Sequence, residues 1–415
     1  MASRSLIPFL VAMMLLTGVC NTLLTKYQDN QCVRNCDPDG NPRKRAFFNQ
    51  PVLQTAQMFI GEMGCWLVVG AMALWRRVTG SSSPSERGYQ AVDTNEDGEH
   101  ADESQTNVRT KLLNNGRSVL EGHRVLLLAL PAICDICGTT LMNAGLLMVA
   151  ASIYQMTRGA LVLFVGLFSV LFLKRHLHLF QWLSLLGVVL GVAVVGMAGA
   201  IWPDEKPEKS MDGPGEDSVT EGGLSDAARA IIGVLLIAGA QIFTATQFVL
   251  EEWILENSPI EPIRVVGWEG IFGFVVTLLA MFVLHLAIGS TPAGRYGYFD
   301  MVEGWRQMTE NKRILTSSFL IMISIGGFNF FGLSVTRSVS ATSRSTIDTC
   351  RTLFIWIVSL GLGWETFKWL QIVGFALLVY FTFLFNGIVQ PPFEFLRVPE
   401  EEVEELLPEE PIEHN

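Results

Sequence analysis

The chain has 415 residues, half of them hydrophobic and only 17% charged, against about 25% charged in an average soluble domain. Forty acidic against 29 basic residues give a formal net charge of -11, but that charge is segregated. Positions 80–108, 202–226 and 394–415 hold 24 of the acids and four of the bases, so the remaining body carries +9, which excludes an ordinary acidic soluble protein and hints at a body that handles anions.

The first apolar stretch, Ser5–Thr25, contains no charge. It is too long for the core of a cleaved signal peptide and is read as a first membrane helix. The polar loop after it carries Cys32 and Cys36, a spacing that suits either a disulfide in an oxidising lumen or two free thiols. Ala46–Trp75 then holds Glu62 as its only charge, and Val125–Thr157 holds only Asp135. Leu177–Pro203, Ala230–Leu250, Gly270–Gly294, Ile314–Thr336 and Trp369–Phe393 have none. About 20 apolar residues cross a bilayer as a helix, and a chain of this size has no soluble core that would hide so many. The reading is an all-α membrane protein of ten transmembrane helices, at 6–25, 50–75, 124–149, 153–173, 179–201, 229–251, 263–288, 314–336, 342–363 and 366–388.

Five helices fall in a first half, 1–201, and five in a second, 229–390, joined by a polar linker, 202–228. An odd number per half makes the second copy enter from the opposite face, giving two inverted five-helix repeats. Weak identities agree: Gly145, Trp182, Leu183 and Gly187 precede Gly332, Trp369, Leu370 and Gly374 by 187 positions, and Arg158, Leu163, Phe164 and Ser169 precede Asp348, Leu353, Phe354 and Ser359 by 190. The loop 80–123 and the acidic tail 391–415 lack the apolar content to fold alone and are read as disordered. Lys and Arg counts lean toward a cytosolic N-terminus and a cytosolic 80–123 loop.

Charges inside membrane helices are costly and mark function by default. The densest group is Arg344, Asp348 and Arg351, which share one helical face at i, i+4 and i+7. One reading clamps Asp348 between the two arginines; the other leaves an arginine free to hold a carboxylate or phosphate. In the first half Tyr154, Gln155 and Arg158 occupy the matching place, with Arg158 opposite Asp348. Glu62 and Glu269 stand alone in their helices, suited to proton coupling or to pairing with an arginine such as Arg158 or Arg264. Gln247 is an amide that serves a substrate or joins helices. Glu251 and Glu252, at a helix end, are placed in interfacial water. Gly187 and Gly191 allow close contact within the bundle or across a homodimer. Cys134 and Cys137 have the spacing of a redox or metal pair but no second pair to complete a zinc site. There is no P-loop, HExxH or GxSxG, so neither an enzyme, a cofactor, a metal site nor a nucleic-acid partner is expected.

The stretch Ala150-Ala151-Ser152-Ile153-Tyr154-Gln155-Met156-Thr157-Arg158-Gly159-Ala160 resembles the drug/metabolite transporter superfamily and, within it, the F-subgroup of solute carrier family 35. So do Val249–Glu252, Gly267–Phe274 and Ser340–Arg344. The resemblance implies alternating-access transport of a small solute bound between helices of both halves. Sugar nucleotides are exchanged for monophosphates elsewhere in the superfamily, though the sugar-specific motifs of the GDP-mannose carriers are missing here. The expectation is a secondary transporter of a small, anionic metabolite in an endomembrane. The alternative is a non-transporting membrane adaptor that binds partners through its loop and tail. Glu402, Leu406 and Leu407 fit an acidic dileucine sorting signal, which places the vacuolar or lysosomal membrane first, ahead of Golgi; the resemblance adds mitochondria third.

Overall fold

The computed structural model describes residues 6–36, 46–79, 122–146, 148–149, 154, 157–201, 226–258, 260–292, 294–363 and 367–392. Gln155, positions 80–121, most of the linker, and the tail with Glu402, Leu406 and Leu407 lie outside them.

The chain is helical almost throughout, because backbone polar groups in a bilayer must be satisfied within the segment. Helix α1 spans Leu6–Asp29; its Thr17, Thr22 and Thr25 hydroxyls donate to carbonyls four residues back, so an apolar helix carries them without loss. A two-stranded antiparallel hairpin follows, β1 (Cys32–Arg34) and β2 (Ala46–Phe47). Next come α2 (Pro51–Met63) and α3 (Cys65–Thr79), which together form one span. The Gly64 amide donates to the Ile60 and Gly61 carbonyls, so the chain turns tightly there without leaving the span. A short 3-10 turn leads into α4 (Ala129–Leu146). Then follow α5 (Leu161–Phe172), α6 (Leu179–Ile201), α7 (Asp226–Asn257) and α8 (Pro262–Leu284). The second half closes with α9 (Met301–Glu310), α10 (Lys312–Ser338), α11 (Ala341–Gly361) and α12 (Trp369–Phe385).

Among the described residues, seven helical stretches are long and apolar enough to cross a membrane, and two shorter apolar ones lie at Thr157–Phe172 and Trp369–Phe385. Helix α11 is 21 residues long but opens on a polar turn, and holds its charged group in the bundle. Large apolar side chains such as Leu67, Phe172, Leu279 and Ile323 point outward, as lipid-facing residues do. The multi-pass membrane class is therefore plain. Helix α9 was not anticipated by the apolar pattern: it is short and polar, and Asp300 caps it by accepting from the Glu303 amide at 3.2 Å.

The packing pairs elements from the two halves. Helix α1 lies along α10, α4 along α7, α2 along α8, α5 along α11 and α6 along α12. Glycines set the closest of these contacts. A Cβ on Gly326 of α10 would meet the Gly61 carbonyl of α2 at 2.6 Å, and one on Gly270 of α8 would meet the Met63 amide at the same distance. Gly191 and Gly374 face each other's carbonyls between α6 and α12, and Phe381 covers Gly187. The small-residue stripe expected to serve the bundle or a dimer is thus filled within the chain.

One end of the bundle carries a polar platform. Cys32 and Cys36 are joined as a disulfide, which selects the first of the two readings of that pair. Arg34 reaches Glu303 at 2.9 Å and lies 3.9 Å from the Tyr296 ring centre. Arg306 and Gln307 donate to the same carboxylate at 2.9 Å. Burial by itself would raise the Glu303 carboxyl, but these donors together hold it below the usual carboxylate range.

Candidate functional site

Helix α11 organises the charged interior. Ser340 caps it, accepting from the Ser343 amide at 3.0 Å, and the first turns bring Ser343, Arg344, Ser345 and Thr346 into the buried centre. A hydroxyl-rich start satisfies the orphan amides of a helix end that lies among other helices rather than in water.

Arg344 is 2% exposed and its Nη1 donates to the Glu251 carboxylate at 2.5 Å. Its guanidinium crosses α10 at Gly332, where a Cβ would lie 2.8 Å from Nε, and its Cζ sits 4.2 Å above the Phe248 ring. Gln247, one turn before Glu251, donates to the same carboxylate at 3.0 Å. Arg351 instead pairs with Asp348, Nε to Oδ1 at 3.3 Å, and rests over Phe328 at 4.8 Å. Gly18 of α1 leaves the space for its stem, a Cβ there falling 2.7 Å from Cδ. The reading that clamps Asp348 between two arginines therefore does not hold. Arg344 belongs to Glu251 on α7, and Asp348 holds Arg351 alone, because the rise of the helix leaves room for a second carboxylate from outside it.

Glu251 and Glu252 do not sit in interfacial water. They are 1% and 2% exposed, since α7 continues past them to Asn257. The Glu252 carboxylate accepts from the Ala341 amide at 3.0 Å and from Arg175 at 3.3 Å, while Arg175 also pairs with Glu256. Ser169 and Thr342 join at 3.1 Å nearby. This polar seam ties α5, α7 and α11 together at the end of the bundle opposite the hairpin.

Tyr154 and Arg158 are half-buried and lie within electrostatic reach of Arg351. Arg158 and Asp348 form no ion pair among the described residues. Glu62 accepts from Asn329 of α10 at 2.6 Å rather than from an arginine. Arg264 pairs with Glu261 at an exposed helix start. Glu269 is 6% exposed and its Oε1 has no hydrogen-bond partner among the described residues. Asp135 of α4, the lone charge of its stretch, lies within electrostatic reach of Glu251 and Arg344. Its signal was the same as that of Glu62, a single charge in a long apolar stretch.

A many-helix membrane protein with charges buried in its interior fits the class of solute transporters, and the comparisons fall in that class. A family model described as nucleotide-sugar transporter matches residues 92–298. An uncharacterized protein of Schizosaccharomyces pombe is 38% identical over 91% of this chain and 97% of its own. Solute carrier family 35 member F6 of Pongo abelii is 37% identical, covering 96% and 94% of the two chains, and that of Homo sapiens 36%, covering 92% and 89%. A solved protein crystal structure superposes with a TM-score of 0.53 at 12% identity, over 93% of this chain and 98% of its own; that likeness is one of fold alone. The chain belongs to solute carrier family 35, in its F subgroup. It is a multi-pass transporter and not an enzyme.

Proposed function

We propose that the protein is a secondary transporter that moves a small anionic metabolite, of the kind handled by nucleotide-sugar carriers, across an endomembrane by alternating access. The reading takes ten spans as two inverted five-helix repeats. Its support is the pairing of helices: exchanging each first-half span for its second-half counterpart maps α1 against α10 onto α7 against α4, and leaves α2 with α8, α5 with α11 and α6 with α12 unchanged. Such symmetry is what lets one assembly open to either side.

The observation that carries the anion is Arg351. It is buried near the middle of α11, its charge is met by the single carboxylate of Asp348, and Arg158 adds a second guanidinium within reach. Two cations and one anion leave one positive charge for a substrate carboxylate or phosphate, which the forked guanidinium donors suit. Tyr154, and Gln155 beside it in sequence, would complete the anion's surroundings; Arg344, held by Glu251, orders the helix that presents Arg351. The vacuolar or lysosomal membrane is the favoured site, through Glu402, Leu406 and Leu407. Proteoliposomes holding the purified chain are expected to exchange labelled nucleoside monophosphates, sugar nucleotides or smaller organic anions, and Arg351→Ala to abolish that exchange. Equal exchange by Arg351→Ala would refute the role given to Arg351.

A further inference from the structure

The ion pair of Arg351 is loose at its head. Nη2 donates to Asp348 Oδ2 at 3.5 Å. Nε lies 3.3 Å from Oδ1, yet among the described residues both of these buried atoms are without a hydrogen bond. A long, rotamer-rich side chain is not fixed by such a contact, although Arg351 is only 8% exposed. Where the guanidinium ends is therefore set by more than Asp348.

The stem of the side chain runs between α1 and α10. On the α1 side Gly18 is buried, and a Cβ there would fall 2.7 Å from Arg351 Cδ and 2.8 Å from the Phe328 ring. On the α10 side the Phe328 ring centre lies 4.8 Å from the guanidinium carbon, within reach of a cation–π attraction. Phe328 is held in turn, packing with Phe331 and Ile347 on Leu10, Met14 and Val335. Gly18 also differs from Gly61, Gly270 and Gly326. A Cβ on any of those would meet the backbone of another helix, whereas one on Gly18 would meet side chains. No side chain fits at position 18 unless the arginine or the ring gives way, and neither contact is at a flexible tip. The empty space at Gly18 thus fits the arginine stem rather than a helix crossing. A group fixed before its ligand arrives loses less freedom on binding it, so such a slot raises affinity without adding a contact.

We propose that Gly18 and Phe328 are positioning residues for the transported anion: together they form a slot that sets the reach of Arg351. The proposal rests on the transport reading above. It adds that α1 and α10, one from each half, aim the guanidinium that α11 carries.

Proteoliposomes holding the full chain are assayed for exchange of labelled inorganic phosphate, citrate and uridine monophosphate, and the variants with whichever of these the wild type exchanges. Gly18→Ala is expected to raise KM about tenfold, the overpacking being relieved by displacing the arginine, with a maximal rate per reconstituted protein near that of wild type. Phe328→Leu keeps apolar bulk but removes the ring face, and should raise KM about fivefold. Gly327→Ala is the control. Its Cβ would meet Thr17 Cγ2 of α1 at 3.2 Å and neither Arg351 nor Phe328, so it crowds the same helix pair and should leave KM unchanged. A merely structural role for Gly18 would lower the maximal rate and the melting temperature at constant KM. Phe328→Leu decides the matter should Gly18→Ala fail to fold. An unchanged KM in Gly18→Ala and Phe328→Leu overturns the proposal, as does an equal rise in Gly327→Ala. With either result, loss of exchange in Arg351→Ala leaves the anion-transport reading standing. Exchange of none of the three anions by the wild type removes that reading and the slot with it.

Discussion

At the scale of single residues, the two arginines of α11 have different tasks because their partners differ. Arg344 is matched by Glu251 in the driest part of the bundle. Glu251→Ala is expected to lower stability by about 3–5 kcal/mol, since it leaves a buried guanidinium unpaired. The double variant Glu251→Ala with Arg344→Met should recover much of that loss, and thermal melts in detergent would show whether it does. Among the described residues the charge of Arg351 is met by Asp348 alone, so its truncation should act on solute as well as on stability. Arg351→Ala is expected to abolish anion exchange and also to lower the melting temperature, because it leaves the buried Asp348 carboxylate unpaired. Of the two arginines that share its helical face, Asp348 meets Arg351. Its second supposed partner was not legible, because a carboxylate 93 positions away competes for Arg344 and no local pattern carries that.

At the scale of elements, helix approach is set by what is missing. Gly61, Gly270 and Gly326 let α2, α8 and α10 touch backbone to backbone, and that approach places Glu62 beside Asn329. Gly326→Leu cannot be accommodated by a rotamer change, since its nearest neighbour is the Gly61 carbonyl at 2.6 Å; it is expected to separate α2 from α10, with loss of folded yield in size-exclusion chromatography. The cap of α11 is a smaller matter. Ser340→Ala should cost about 1 kcal/mol, measurable as a modest fall in melting temperature without loss of fold. The apolar runs located most of these helices in sequence, whereas α9 escaped because its ten residues are polar and lie between spans.

At the scale of the whole molecule, the two ends of the bundle are held differently. One end is tied by Glu252 across α5, α7 and α11; the other by the disulfide-linked hairpin and Glu303. Glu303 gives the second end a defined pH response. Its carboxyl lies below the usual range in the folded state despite its burial, because Arg306, Gln307 and Arg34 donate to it. A depressed folded value means that the contribution is present above the unfolded carboxylate range and is lost as pH falls through the folded value. Melting temperatures followed from about pH 7 to about pH 3 should therefore fall less in Glu303→Gln than in wild type; parallel curves would remove Glu303 from the account.

The sequence by itself determined that this is a polytopic helical membrane protein, where most of its helices run, and which charges had no business in a bilayer. Those are one-dimensional facts: hydropathy over about 20 residues and the cost of an isolated charge need no knowledge of neighbours. The family resemblance was also carried by short contiguous runs. Only the tertiary structure decided which charge answers which. It assigned Arg344 to Glu251 and Arg351 to Asp348, buried the Glu251-Glu252 pair, and set Asn329 against Glu62. The reason is physical: an ion pair forms between whatever groups the packing brings within a few ångströms, and that packing is set by glycines and helix crossings on segments far apart in the chain.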